Sequence, residues 1–281
     1  MSSMVPPLLA GLVDDSALLQ PGPATVADTT AGFREHHAAW YGELVGSLLV
    51  PSSLLDLDVD PPGLPVGVIN DAAVTALPTA VAKLRAGGAA VRSIESAVAR
   101  RGEDPQPGLA ELRTLAAGDK DLEVYAEIPL SWGLLGALDA VAAMRADGLR
   151  IAPKFRVGGL AAELFPTPVE LAAVICACRD RDLPFKLATG IRHALRHTDP
   201  ETGFTHHGFL NVLVAVLLAG DGQEVAEVAE ALGATHPVPL VEPARARRDE
   251  TRPLWAGFGV ATIVEPLTEL VRLGLINGGY Q

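Results

Sequence analysis

The feature that most constrains the fold of this chain is an alternation of short apolar runs with longer helical segments. Between residues 64 and 189, strand-like runs of roughly six residues alternate with helical runs of roughly twelve. The predicted strands are Leu64–Asn70, Ala90–Ala97, Leu122–Ile128, Leu149–Val157 and Leu183–Thr189. An early strand near Leu48–Leu57 and a late strand Phe258–Val264 bring the predicted count to seven. Such repeats build parallel sheets, so the sequence predicts an α/β fold, a TIM-like (β/α)-barrel that is complete or irregular. An open doubly wound sheet is the alternative.

The length of the chain suits one such barrel. Barrels of about 250 residues are routinely single domains, and this chain has 281 residues. Residues 1–30 are rich in proline, alanine and threonine without periodicity, which predicts a flexible N-terminal arm. Ala31–Leu49 has an apolar stripe at helical spacing and predicts a helical extension before the barrel. Residues 31–281 are therefore expected to form a single barrel domain. No dinucleotide or P-loop motif follows a strand, and the sequence predicts no cofactor.

Net charge and hydropathy narrow the class of partner. The formal net charge is −12, whereas binding to a nucleic-acid duplex needs a cationic footprint. The longest apolar run, residues 208–220, has 13 residues and is too short to span a bilayer. The N-terminus lacks the basic region of a signal peptide. We therefore expect a cytoplasmic protein that acts on a small molecule, with no nucleic-acid or membrane partner. The sequence leaves homo-oligomerisation open.

Charged side chains recur near the C-terminal ends of the predicted strands. They are Glu95, Glu127, Lys154, Arg156 and Lys186. Central parallel strands are normally almost wholly apolar, and a buried charge is costly unless it faces a polar pocket. Because the active sites of parallel barrels gather at the C-terminal strand ends, these charges predict a catalytic pocket. The alternative is that they point outward beneath the helices or form a salt-bridged barrel core.

Lys154 and Lys186 are the most distinctive pair in this set. Each lies on a predicted strand and is followed by glycine four positions later. Consecutive barrel strands are neighbours, so we expect the two ammonium groups to lie close together. Like charge and burial both lower a lysine pKa, and a neutral amine attacks a carbonyl carbon to form a Schiff base. Glu95 and Glu127 would then transfer protons.

The two lysine segments resemble the consecutive lysine strands of class I aldolases of the deoxyribose-phosphate aldolase type. The later segment, Lys186–Arg192 (KLATGIR), is the closer match, and the resemblance covers residues 154–192. It implies Lys154 as the Schiff-base nucleophile and Lys186 as the neighbour that lowers its pKa. Segments of the second half, among them residues 153–159, 165–178 and 206–215, also resemble a bacterial protein family. That second resemblance implies no activity.

An anion site is expected beside the lysines. Glycine turns after late barrel strands often cradle phosphate through backbone N–H groups, although they also serve as plain tight turns. The residues predicted to bind an anionic substrate are Arg156, Gly158, Gly159, Thr189, Gly190, Arg192, His193, His207 and Asn211. The arginines would make the pocket locally positive inside an acidic protein. Asn211 has the alternative role of a buried hydrogen-bonding residue within a helix.

Histidines cluster after the second lysine segment. His193 and His197 are spaced i, i+4 and, with His206 or His207 and Glu127, form a conceivable metal site. The spacing lacks the glutamate of the zincin motif, and the sequence assigns no metal ligand. Acid–base catalysis, contact with an anion, and no role at all are the other interpretations.

Three functions follow from these patterns. The first is a lyase of the aldolase type that acts on a small anionic carbonyl compound through a strand lysine. The second is a barrel enzyme that uses a metal or acid–base chemistry from glutamate and histidine. The third is a barrel that binds a small molecule without catalysis. A fold alone does not choose among them.

Overall fold

A computed structural model describes residues 4–19, 25–54 and 62–278. Within these ranges, eight parallel strands follow one another around a closed ring. They are Val13–Asp15 (β1), Val45–Pro51 (β2), Pro65–Ile69 (β3), Ala90–Ala97 (β4), Glu123–Glu127 (β5), Ile151–Arg156 (β6), Phe185–Ala188 (β7) and Trp255–Val260 (β8). Each strand pairs in parallel with its neighbour, and β8 closes the ring on β1. The fold is a (β/α)8 barrel of the TIM type, and its closure excludes the open sheet.

Helices surround the ring. Over the same ranges they are Val26–Ala38 (α1), Leu77–Ala86 (α2), Gln106–Gly118 (α3), Leu134–Ala146 (α4), Pro168–Arg179 (α5), Phe209–Gly220 (α6), Val225–Gly233 (α7), Val238–Ala246 (α8) and Val264–Arg272 (α9). A short hairpin, His197–Thr198 with Thr205–His206, and three helices connect β7 to β8. None of the described helices is long and apolar enough to cross a membrane.

Helix α5 illustrates how the sequence fixes these elements. Thr167 caps the helix by accepting a hydrogen bond from the backbone N–H of Glu170, whose carboxylate accepts one in return from the N–H of Thr167. Pro168 occupies the first turn, where its missing N–H costs nothing. Cys176 and Cys178, two positions apart, point to different sides of the helix, and both are buried as small, unpaired hydrophobic residues.

The strands of the barrel carry apolar side chains on the face that packs against the helices and polar side chains on the face that points into the barrel. Val124, Phe155 and Leu187 are fully buried within the apolar core. Side chains alternate along a strand, so the residues between them face inward. Lys186 on β7 contacts Glu95 on β4, and these strands are not neighbours. The contact therefore crosses the barrel interior, which places the charged side chains there.

The structure corrects the predicted N-terminal arm. Val13–Asp15 forms β1 between β2 and β8, so part of residues 1–30 belongs to the barrel and the strand count is eight instead of seven. Residues 1–3 and 20–24 of the predicted arm lie outside the described ranges. A strand of three residues, two of them acidic, is too short to show periodicity in a sequence.

The predicted helix over Ala31–Leu49 is also wrong in its bounds. Helix α1 covers Val26–Ala38 and connects β1 to β2, so it is a crossover helix and not an extension before the barrel. The C-terminal half of the predicted segment is not helical to its end. The chain turns after α1, and the apolar run that begins at Val45 forms β2. The early strand predicted near Leu48–Leu57 overlaps β2, and its residues 55–57 lie outside the described ranges.

Candidate active site

Five charged side chains form one continuous chain of ion pairs inside the barrel. The Lys154 Nζ atom lies 2.8 Å from Glu95 Oε2 and 2.9 Å from Glu127 Oε2. The Lys186 Nζ atom contacts the other oxygen of Glu95 and lies 2.5 Å from Asp14 Oδ2. Glu95 therefore bridges the two lysines, while Glu127 and Asp14 occupy the two ends of the chain.

Strand register brings these residues together. Lys154 pairs with Glu127 on one side and with Lys186 on the other, each at the same level of the barrel. Glu95 pairs with Tyr125, one inward-facing position below Glu127. The ring of Tyr125 lies beneath Lys186, with 5.2 Å between Nζ and the ring centroid. Five strands therefore position this cluster, which makes its geometry a property of barrel closure.

Burial and pairing together set the protonation of the cluster. Burial alone would raise the pKa of Glu95, but the charges of Lys154 and Lys186 outweigh it and lower this pKa to about 2. Burial would lower the pKa of each lysine, but the carboxylates raise both above the ordinary value. The expectation of a lowered lysine pKa is therefore wrong in the resting protein, because three carboxylates surround two ammonium groups.

The use of lysine at these two positions is itself informative. Only four of the 22 Lys and Arg residues of the chain are lysines, and two of the four are Lys154 and Lys186. Their exposed fractions are 6% and 4%. Arginine is the usual partner for a buried carboxylate, because its guanidinium makes several fixed hydrogen bonds and does not lose its proton. Two primary amines therefore occupy buried positions where arginine would be the usual cation.

A cavity of about 680 Å³ opens onto the cluster at the C-terminal ends of the strands. Of the residues expected in the site, its lining contains Glu95, Glu127, Lys154, Arg156, Gly159, Lys186, Thr189, Gly190 and Arg192. The charges are thus ion-paired within the interior and also face a shared cavity. Glu127 connects the two features, because its Oε1 atom accepts hydrogen bonds from Arg156 Nε (3.2 Å) and Nη2 (3.1 Å) at the cavity wall.

The loops after β6 and β7 form one wall of the cavity. Thr189 and Gly190 both have positive φ, at 60° and 83°. A Cβ atom at Gly158 would lie 2.6 Å from the Cα atom of Gly190, so the two loops meet backbone to backbone. Gly158 thus packs behind the wall instead of lining it. Only glycine allows this approach, and it places Thr189 and Arg192 at the cavity.

Besides Gly158, three of the predicted substrate-binding residues lie outside the cavity lining. His207 is buried, its Nε2 atom is 2.7 Å from the carbonyl oxygen of Pro166, and burial lowers its pKa to about 4. Asn211 is buried, and its amide bridges the carbonyl oxygens of Ala231 and Ala234.

His193, the third, pairs with a helix outside the cavity. Its Nδ1 atom is 2.8 Å from Glu269 Oε1 on α9. Sequence spacing does not reveal these partners, because all of them come from distant segments.

Two residues of the site were not assigned to it from the sequence, one in the ion-pair chain and one in the cavity lining. Asp14 completes the ion-pair chain and accepts a hydrogen bond from the backbone N–H of Ser47 at 2.6 Å. A charge that follows the apolar residues Leu12 and Val13 fits the same strand-end pattern, but the strand is too short to be recognised. His206 lines the cavity. The sequence leaves it, with the other clustered histidines, open to a metal site, acid–base catalysis, contact with an anion or no role, and does not assign it to the site.

The histidines do not assemble into a metal centre in the part of the chain that the structure describes. No group of three or more His, Cys, Asp or Glu side chains there has a metal-binding arrangement. Instead, the rings of His193, His197 and His206 pack on one another, with centroid separations of 4.5 Å and 5.2 Å.

Comparisons with known proteins give distant structural likenesses. No family model and no curated protein matches the sequence. The chain is similar to a lysine/ornithine decarboxylase from Vibrio vulnificus, solved with putrescine, at 14% identity and a TM-score of 0.44 over 90% of this chain. It spans 58% of the length of that decarboxylase. A xylose isomerase-like TIM barrel protein from Mycobacterium smegmatis, solved with magnesium, gives 13% identity and a TM-score of 0.34, over 84% of this chain and 90% of that one.

Proposed function

We propose that this protein is an enzyme of the aldolase type that forms a Schiff base between Lys154 and a small anionic carbonyl compound. The observation that carries the proposal is the position of the Lys154 amine. It lines a cavity at the catalytic end of the barrel and lies within 2.9 Å of two carboxylates, Glu95 and Glu127. An adjacent base that accepts the ammonium proton is one way in which a lysine is activated to form an imine.

Lys154 suits the nucleophile better than Lys186 does. Lys186 is enclosed by Asp14, Glu95 and the ring of Tyr125, which stabilise its positive charge from three sides. The partner of Lys154 at the cavity wall, Glu127, is 17% exposed and reaches the solvent-facing Arg156. A proton released by Lys154 therefore has an acceptor at the cavity surface.

The first step balances with these residues alone. Lys154 transfers one ammonium proton to Glu127, and the free amine attacks the carbonyl carbon to give a carbinolamine. A second amine proton passes to the carbinolamine oxygen. Glu127 returns its proton to the hydroxyl, which leaves as water while the nitrogen lone pair forms the C=N bond. The product is a cationic iminium, so the charge beside Glu95 at residue 154 is restored, and Lys186 stays paired with Glu95 in the meantime.

Positive charge at the cavity wall supports an anionic substrate. Arg192 is 63% exposed and its only described carboxylate neighbour, Glu265, is 4.0 Å away. Arg156 uses Nε and Nη2 for Glu127, and its Nη1 atom has no hydrogen-bond partner among the described residues. Two guanidinium groups are therefore available to a carboxylate or phosphate group.

Reductive trapping tests the proposal. Pyruvate and glycolaldehyde phosphate are incubated separately with the protein and sodium borohydride, and the adduct is located by peptide mass spectrometry. Lys154→Arg keeps the positive charge but cannot form an imine, and Lys186→Arg is the matched control. We expect an adduct at Lys154 in the natural protein and in Lys186→Arg, and none at residue 154 in Lys154→Arg.

Two results of the trapping experiment would contradict the proposal. Absence of any adduct from both probes in the natural protein would contradict the proposal and favour a barrel that binds its ligand without covalent chemistry. An adduct confined to Lys83 or Lys120 would also contradict it, since neither residue lines the cavity.

A further inference from the structure

The carboxylates beside Lys154 are poorly suited to act as bases on carbon. Both oxygens of Glu127 are engaged, one by Arg156 and the other by Lys154. Both oxygens of Glu95 are engaged by the two lysines. The neighbouring cations overcome burial and lower the pKa of both carboxylates. A weak base removes a proton from carbon slowly, so the imine needs another base for its next step.

Among the described residues that line the cavity, His206 is the one imidazole, and it lies outside the ion-pair chain. It belongs to the second strand of the hairpin after β7. Its Nδ1 atom is 3.0 Å from the carbonyl oxygen of Gly190. A carbonyl oxygen only accepts hydrogen bonds, so Nδ1 carries the hydrogen and Nε2 of the neutral ring has a free lone pair. No described residue forms a hydrogen bond with Nε2.

Neighbouring rings hold the His206 imidazole in place. It stacks on His197 with a centroid separation of 5.2 Å and an interplanar angle of 12°. Phe165 meets it edge-on at 4.9 Å and 78°. Burial is the main cause that lowers the pKa of His197, which disfavours a positive charge on the stacked ring. Fixed orientation and a free nitrogen are what a general base requires.

We propose that His206 is the base that removes the α-proton of the imine formed on Lys154, an inference that rests on the proposed function. Nε2 takes the α-hydrogen as a proton, and the C–H electron pair becomes the C=C bond. The C=N π electrons move to nitrogen as a lone pair. The iminium becomes a neutral enamine and the imidazole becomes an imidazolium, so atoms and charge balance.

Deuterium exchange separates this step from imine formation. Pyruvate and glycolaldehyde phosphate both carry α-hydrogens, and their loss in D₂O is followed by proton NMR with whichever probe is trapped by borohydride. His206→Asn retains an N–H donor for Gly190 but lacks Nε2. We expect its borohydride adduct at Lys154 to form within about twofold of the natural rate, while enzyme-dependent exchange falls about 100-fold.

His193→Asn is the matched control, since it removes a histidine of the same ring series that does not line the cavity. Its exchange rate should stay within about threefold of the natural rate. Unchanged exchange in His206→Asn would overturn the inference, and so would an equal loss of trapping and exchange, which indicates a structural role. If the natural protein forms the borohydride adduct but does not exchange the α-hydrogens, only this inference is overturned. If it forms no adduct, the proposed function is overturned as well.

Discussion

At the scale of single residues, Lys154 rests as an ammonium ion because two carboxylates contact it. In the proposed reaction, activation of Lys154 therefore depends on proton transfer to a neighbour and not on a lowered pKa. This differs from the chemistry expected from two adjacent lysines, because Glu95 separates their charges and Asp14 adds a further negative charge. Sequence reasoning identified both lysines and both glutamates, but not the balance among them, which depends on contacts across the barrel.

Glu127 is expected to set the rate of imine formation. Glu127→Gln removes the proton acceptor beside Lys154 and should lower the rate of borohydride trapping about 100-fold. Glu123→Gln is the control on the same strand, because Glu123 pairs with Arg145 and Arg150 outside the cavity. An equal trapping rate in Glu127→Gln and the natural protein would mean that another group takes the proton.

Glu95 is expected to make stability depend on acid pH. Its pKa is about 2 in the folded protein against 4.5 for the free group. The stabilisation is therefore complete above pH 4.5 and is lost as the pH falls towards 2. The shift corresponds to at most about 3 kcal/mol.

Urea denaturation from about pH 5 to about pH 2.5 measures the effect. Glu95→Gln lacks the titrating group, so its free energy of unfolding should be lower at the start and should fall less across this range. Equal losses in the two proteins would show that Glu95 does not titrate with the lowered pKa.

At the scale of elements, the meeting of the loops after β6 and β7 shapes the cavity wall. A Cβ atom at Gly190 would lie 2.6 Å from the carbonyl oxygen of Val157. Gly222 has the same φ of 83° but no atom within 4 Å of its Cβ position. Alanine substitutions at these two positions therefore separate the energetic cost of a positive φ from the cost of steric overlap.

Gly190→Ala should therefore destabilise the fold more than Gly222→Ala, whose cost is about 1 kcal/mol for the left-handed conformation. Gly190→Ala should also slow trapping at Lys154, and Gly222→Ala should not. Both effects are measured by thermal unfolding and the borohydride assay. Equal losses of stability and equal trapping rates in the two variants would mean that the loops after β6 and β7 are not in contact in solution.

Arg252 ties the segment before β1 to the base of the barrel. It donates hydrogen bonds to the carbonyl oxygens of Leu8 and Ala10, and also to those of Trp255 and Ala256 on β8. Arg252→Lys retains the charge but not the spread of donors. It should lower the free energy of unfolding by roughly 2 kcal/mol.

The control is Arg248→Ala, since the described carboxylate nearest to Arg248 is Asp249 at 3.9 Å. This variant should change stability by less than about 0.5 kcal/mol in the same urea denaturation experiment. A loss in Arg248→Ala as large as that in Arg252→Lys would contradict the role assigned to Arg252.

The elements predicted from sequence differ in how well they match the structure, for a physical reason. The predicted strand Ala90–Ala97 matches β4 in both bounds, since it is a short apolar run that clear turn residues precede. The strand Val13–Asp15 was missed, because closure with β8 and β2 forms it and local propensity does not. Helix α8 was missed too, because Pro243 lies within it and proline normally interrupts helices.

At the scale of the whole molecule, the net charge does not describe the charge at the cavity. The net charge is −12, yet Arg156 and Arg192 face a cavity whose buried carboxylates are neutralised by lysines. The sequence predicted that the charges on the strands share one pocket, because parallel strands end at one face. It did not reveal Asp14 or the orientation of His206, because both depend on segments that meet only in the closed barrel.

The most direct test of the account is a crystal structure of the borohydride-reduced protein prepared with pyruvate or glycolaldehyde phosphate. We predict continuous density from Lys154 Nζ to the former carbonyl carbon, with the carboxylate or phosphate group directed to Arg156 or Arg192. Density that joins the ligand to Lys186, or a ligand in the cavity with no covalent bond to Lys154, would contradict it.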